Sequence, residues 1–120
     1  MNIVILNGRV GKDAEVRNFD NGGQIAYFSL ATTERWKKDG EKKERTDWHT
    51  IIVGIPVLVS LCENYVKKGR ELLINGTLKY RDYEKDGVKR TIAEVHADRI
   101  ELIGKAVTKV EVEPSDDLPF

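Results

Sequence analysis

Thr46-Asp47-Trp48-His49-Thr50-Ile51-Ile52-Val53-Gly54-Ile55-Pro56-Val57-Leu58-Val59-Ser60-Leu61-Cys62-Glu63-Asn64-Tyr65-Val66-Lys67-Lys68-Gly69 is the stretch in which the hydrophobic period changes. Thr46 to Val53 is β-branched and aromatic and reads as a strand. Pro56 then opens a different pattern. Val57, Leu58, Leu61, Cys62 and Tyr65 recur at three and four residues, which predicts a short helix with that stripe, Tyr65 included, facing the core. Proline suits its first turn, and Lys67, Lys68 and Gly69 suit its end. A single helix inside a chain of strands restricts the fold to a few architectures.

Working outward, Ile3 to Val10 reads as a first strand, with Gly8 marking a bulge, a bend or a close backbone approach. Asp20-Asn21-Gly22-Gly23 is a turn. Ile25 to Thr33 gives the second strand, and Trp36 to Arg45, centred on Asp39-Gly40, a projecting hairpin loop. After the helix come Leu72 to Tyr83, a compact Asp86-Gly87 turn and a partner strand over Lys89 to Ile103. Residues 104–114 suit an edge strand or a leash. Ser115 to Phe120 has too little apolar surface to offset its ordering entropy and is expected to be disordered when unbound. The order lacks the βαβ series of a doubly wound sheet. It suits an all-β fold, a five-stranded Greek-key OB-fold barrel with one short helix between strands 3 and 4.

At 120 residues the chain accommodates one domain. Twenty basic and twenty acidic residues cancel, which argues against binding a polyanion through bulk charge. Position changes that argument. The last ten residues hold Glu111, Glu113, Asp116 and Asp117 and no base, so the first 110 carry 20 bases against 16 acids, a net +4. Cys62 is the only cysteine, which excludes an internal disulfide and a thiolate zinc site and suits a reducing compartment. On the helix stripe it reads as a packed small hydrophobe. The opening residues have no basic n-region and no window is apolar enough to span a bilayer, so neither a signal peptide nor membrane insertion is expected.

No serine elbow, phosphate loop or GxGxxG occurs, and no acid or nucleophile near His49 in sequence completes a catalytic set, so no enzyme is expected. The acid pairs Asp13/Glu15 and Glu94/Asp98 read as solvated surface rather than metal ligands. No cofactor or metal is expected. The informative pattern is aromatics among bases. Trp36 sits between Arg35 and Lys37, Trp48 follows Arg45, and Tyr80 and Tyr83 bracket Arg81 near Lys79. Flat rings stack on unpaired bases while Lys and Arg follow the phosphates. Trp48 begins an apolar strand, so contact and core readings both stand. Tyr27 and Phe28 take opposite faces of one strand, and the pattern does not fix which is outward.

The separated segments Met1 to Asp13, Glu15-Val16-Arg17, Phe28 to Thr32 with Glu34-Arg35-Trp36, Thr46-Asp47-Trp48-His49, Tyr65 to Gly69, Ile74-Asn75-Gly76 and the Tyr83 hairpin occur in one order. In that order they resemble the bacterial single-stranded DNA-binding proteins of the homotetrameric OB-fold type. The resemblance covers 1–104 as the binding domain and 115–120 as a tip, with 105–114 as a short linker or edge strand. It implies stacking on single-stranded DNA by Trp36, Trp48 and Tyr83; Phe28 and Tyr80 are further candidates by residue type and context. It implies backbone contacts from Lys12, Arg17, Arg35, Lys67, Lys79 and Arg81, and a homotetramer interface involving Ile3, Ile5 and His49. Asp116, Asp117, Leu118, Pro119 and Phe120 resemble the family's acidic tip, which docks replication, recombination and repair proteins. A cytoplasmic, nucleoid-associated role follows from the same resemblance.

Two departures stand out. Gly54-Ile55-Pro56 occupies the place where the family usually has an aromatic stacking residue and a basic one. The family's long Gly-, Pro- or Gln-rich linker is replaced by about ten Val/Lys/Glu-rich residues, a short reach for the tip. An OB-fold primosomal-type accessory protein and an RNA-binding OB module are the alternatives.

Overall fold

The computed structural model describes residues 1–104. The expectations for 105–114 and for the tip lie outside the described residues. Six strands and one helix follow in the order β1 (Val4–Val10), β2 (Glu15–Asn18), β3 (Gln24–Lys38), β4 (Glu41–Val53), α1 (Pro56–Tyr65), β5 (Glu71–Lys85) and β6 (Val88–Ile103). The five long elements form the expected OB-fold barrel. β2 is an added four-residue strand on its edge.

The sheet order is β1-β5-β6-β4-β3-β2, and a second pairing of β1 with β3 closes it. β1 turns from β5 to β3 at Arg9, which pairs with both Glu71 and Ala31. Gly8 lies at that closure, where an added Cβ would collide with the Ala31 carbonyl oxygen. The close approach anticipated there is therefore the reason for the glycine. Two antiparallel hairpins, β3–β4 and β5–β6, make up most of the sheet. They are joined by three parallel rungs, Thr50↔Glu94, Ile51↔Val95 and Ile52↔His96.

The segment from Trp36 to Arg45 is not a loop. β3 continues to Lys38 and β4 starts at Glu41, leaving only Asp39-Gly40 to turn. Asp39 and Gly40 have φ of 52° and 78°, and Asp86 and Gly87 have 54° and 78°. Both turns therefore place two successive residues in the left-handed region. This is the primed geometry whose twist matches the flanking strands. Strands of 13 to 16 residues far exceed the common five or six. Their near halves alternate buried and outward residues. Their far halves are exposed on both sides and project as ribbons.

Alternation settles the inward set. Ala26, Phe28 and Leu30 of β3 meet Ile51 and Val53 of β4, Leu72 and Ile74 of β5 and Val95 and Ala97 of β6. Helix α1 closes one end through Val59 and Cys62, with Leu58 and Leu61 partly covered. The expected stripe is shifted: Val57 and Tyr65 face solvent, and Val59 and Val66 are buried in their place. The helix ends at Tyr65, so Lys67 and Lys68 lie beyond it.

Burial pushes the Cys62 thiol up from 9.0 to about 12. The folded state thus favours the neutral thiol. The associated stability is present below pH 9 and is lost as pH rises from there towards about 12. Native protein should resist iodoacetamide at pH 8 and react once unfolded in urea. Fast native labelling would contradict this packing.

Candidate nucleic-acid interface

The pairing register places side chains on the two faces of one sheet. Odd-numbered residues of β3 share a face with even-numbered residues of β4, because Tyr27 pairs with Ile52, Ser29 with Thr50 and Ala31 with Trp48. The rung Thr50↔Glu94 carries that face onto β6, and Lys79↔Glu94 carries it onto β5. Across β2 it includes Arg17, through Glu15↔Tyr27 and Arg17↔Ile25. The barrel's outer face therefore collects Arg17, Arg35, Trp48, Lys79, Arg81 and Tyr83.

Trp36 and Tyr80 lie on the opposite pleat. Within the barrel that pleat points into the core, but both residues sit where the strands have left the barrel, and both rings are exposed. Trp36 lines an open recess of ≈ 490 Å³ at the ribbon with Arg35, Lys37, Lys42, Lys43 and Glu44. Phe28, in contrast, is only 5% exposed and belongs to the core. A ring so enclosed offers no face to a base, and the outward ring of that pair is Tyr27. The hydroxyl of Tyr27 donates to Glu15 Oε1 at 3.0 Å, and the Arg17 guanidinium lies 5.8 Å from its ring centre.

Trp48 is 62% exposed, which resolves its two readings in favour of the surface. Its ring lies against Gly11, where an added Cβ would sit 2.6 Å from Cζ3. Gly11 begins a loop stitched to the segment after α1. Ala14 N–H donates to the Val66 carbonyl at 3.0 Å, Lys68 N–H donates to Asp13 Oδ1 at 2.8 Å, and Gly69 N–H donates to the Val10 carbonyl at 2.8 Å. Lys12 and Lys67 are thereby held on adjacent loops beside Trp48. Gly11→Ala should tilt the Trp48 ring off its seat with little loss of stability. A shift in Trp emission is the expected readout, and unchanged emission would contradict this contact.

The basic residues differ in freedom. Lys12, Arg17, Lys67 and Lys79 form no ion pair among the described residues. Arg35 meets Glu44 at 3.4 Å between exposed side chains, a contact worth little in water. Arg81 is committed to Glu94: its Nε and Nη2 lie 2.9 and 2.8 Å from Glu94 Oε2.

Glu94 is only 3% exposed, against the expectation of a solvated acid. Its Oε1 lies 3.3 Å from His96 Nε2. Burial pushes the Glu94 carboxyl up, but hydrogen bonds from Arg81 and His96 and their charges outweigh it, leaving it below its ordinary value. The same carboxylate raises Arg81 above its ordinary value. The sequence pattern carries no sign of this, because Arg81 reaches Glu94 only through strand register.

Ile5, on the outer face of β1, and Ile3, just before that strand, stand 60% and 61% exposed. His49 is on the inward pleat, half-buried, with its Nε2 2.8 Å from Thr32 Oγ1. β4 ends at Val53, so Gly54-Ile55 forms the connection to α1 and supplies no aromatic ring. Among the described residues no cluster of His, Cys, Asp and Glu could hold a metal ion, and no helix is long and apolar enough to cross a membrane.

This arrangement coincides with a known family. Residues 1–103 match the model of the single-strand binding protein family. The chain belongs to that family. A single-stranded DNA-binding protein of Neisseria meningitidis is 39% identical over 106 residues, 87% of this chain and 60% of that protein. One from Rickettsia typhi is 44% identical over 98 residues, 79% of this chain and 64% of that protein. The chain thus spans about three fifths of the length of these curated relatives. Among solved structures, a Plasmodium falciparum SSB complex with ssDNA superposes with a TM-score of 0.76 and 34% identity, covering 86% of this chain and 93% of that one. A deletion mutant of the Thermus aquaticus single-stranded DNA binding protein gives 0.73 at 25% identity, over 87% of this chain and 51% of that one.

Proposed function

We propose that the chain binds single-stranded DNA without regard to sequence, protecting it during replication, recombination and repair. The observation that carries this is the outer sheet face, on which strand register collects Trp48, Tyr83, Arg17, Arg35, Lys79 and Arg81. Rings there stack on any base, and the cations Lys12, Arg17, Arg35, Lys67 and Lys79 follow the phosphates. Trp36 and Tyr80 add platforms on the ribbons' other side, so a strand passing over a ribbon edge meets both. Family membership supports the reading, as do the Plasmodium falciparum complex with ssDNA and the single-stranded DNA-binding relatives. It also favours binding over catalysis. A cytoplasmic, nucleoid-associated protein fits this role.

Assembly as a homotetramer is part of the proposal. Two aliphatic side chains left in water at the start of β1, Ile3 and Ile5, suit a surface that a second copy covers, with His49 supporting the adjoining strand. In this reading residues 1–104 act as the binding domain, 105–114 as a short linker or edge strand and 115–120 as the tip. Asp116 and Asp117 would meet basic groups of a partner while Leu118, Pro119 and Phe120 enter an apolar pocket.

Quenching of Trp fluorescence by oligodeoxythymidylate at two salt concentrations, with mass measured in solution, tests stacking, phosphate dependence and assembly together. A matched RNA strand separates this reading from an RNA-binding module. Absence of quenching at low salt would refute it. Deleting 115–120 should preserve or modestly strengthen DNA binding, since an acidic segment competes for the basic body, while partner capture is lost. A large fall in DNA affinity on deletion would count against the assigned role of the tip.

A further inference from the structure

We infer that Glu94 is a positioning residue for the stacking platform at Tyr83, acting through Arg81, and that Arg81 serves this purpose rather than neutralising a phosphate. The inference deepens the single-strand binding reading and rests on it for its affinity test.

Glu94 stands where the two hairpins join, paired with Thr50 of β4 and Lys79 of β5. Its carboxylate is buried while its partner Arg81 is 58% exposed. Two guanidinium nitrogens reach the same carboxylate oxygen at 2.8 and 2.9 Å, which fixes the position of the cation from beneath. Arg81 and Tyr83 lie two apart on β5 and so share a face. The guanidinium carbon is 5.9 Å from the Tyr83 ring centre. Glu94 thus holds Arg81, and Arg81 underlies one side of the ring. Trp48 lies on the same face, two residues along β4 from Thr50. The strand that carries the buried carboxylate therefore runs between the strands of the two outer platforms, both of which lie on the hairpin-turn side of Glu94. An arginine already neutralised by an acid inside the protein displaces fewer counterions when DNA binds.

The first test needs no DNA. In Glu94→Gln and in Arg81→Lys, the Tyr83 ring resonances should shift while those of Tyr65, on α1, stay in place. Unmoved Tyr83 resonances in both variants would overturn the inference. Lysine at 81 keeps the charge but lacks the planar fork, and the exposed site spares the fold should Glu94→Gln prove unstable.

The second test titrates oligodeoxythymidylate over a range of salt. Arg81→Lys should weaken binding as much as Arg81→Ala does, and neither should weaken it further once Tyr83→Ala is present, to within about twofold. The slope of log affinity against log salt should stay at the wild-type value in Arg81→Ala. A slope shallower by about 0.7, with Arg81→Lys binding like wild type, would mark Arg81 as a phosphate contact and overturn the inference. Tyr83 resonances that shift as expected in the variants, together with wild-type protein that leaves the oligonucleotide unbound at low salt, would refute the function and leave the positioning of the ring standing.

Discussion

Trp48→Ala should weaken binding to polypyrimidine and mixed-sequence single strands by the same factor, at a cost of about 1–3 kcal/mol in affinity. The ring is exposed on the outer face, seated on Gly11 and flanked by the loops that carry Lys12 and Lys67. Truncation removes a stacking platform and leaves neighbouring cations in place, so the salt dependence should hardly change. Trp36→Ala should do the same from the other pleat of the same hairpin. Because no pairing joins the two rings, their losses should add in the double variant. Titrations at fixed salt with two unrelated oligonucleotides provide the check. A loss confined to one sequence would contradict stacking as the basis of binding.

Ile51→Ala should lower folding stability by about 2–5 kcal/mol. Ile51 is fully buried, pairs with Phe28 across the first hairpin and with Val95 across the parallel rungs to the second. Removing its side chain opens a cavity at the only place where β4 and β6 meet. Urea unfolding followed by circular dichroism gives the number. An unchanged midpoint would mean that the closure does not depend on packing at this rung. The contrast with Trp48→Ala, three residues away, is itself informative: one change should act on stability and the other on binding.

Much of the barrel was legible because its signals are local. The change of period at Pro56, the two Asp-Gly turns and the alternating strands each depend on a few adjacent residues. β2 was missed because Glu15-Val16-Arg17-Asn18 contains one apolar residue, and its strand character comes from pairing with Ile25 to Tyr27. The ribbon between Trp36 and Arg45 looked like a loop because both of its faces are polar. Its conformation is held by a cross-strand ladder rather than by burial. Tyr65 fell on a helical period yet faces solvent, since the orientation of α1 is set by the barrel mouth it covers. Type and context single out Trp36, Trp48 and Tyr83, and all three rings are exposed. Phe28 was placed among them on type alone, and the pleat sends it inward. Glu94 could not be recognised at all, because its burial is a property of three strands meeting.

The long hairpins write two kinds of information on the same strand. Residues before about Thr33 on β3, and the matching half of β4, answer to the packing of the interior. Residues beyond them answer only to solvent and to whatever the ribbon touches. Substitutions accumulating in Glu34 to Asp47 can therefore retune affinity, strand path or choice of polymer without a toll on folding. The ribbon is thus free to vary while the frame is held by its packing. Gly54-Ile55 marks where the reverse applies: it joins β4 to α1 at the barrel mouth, so a substitution there also touches how the frame is built.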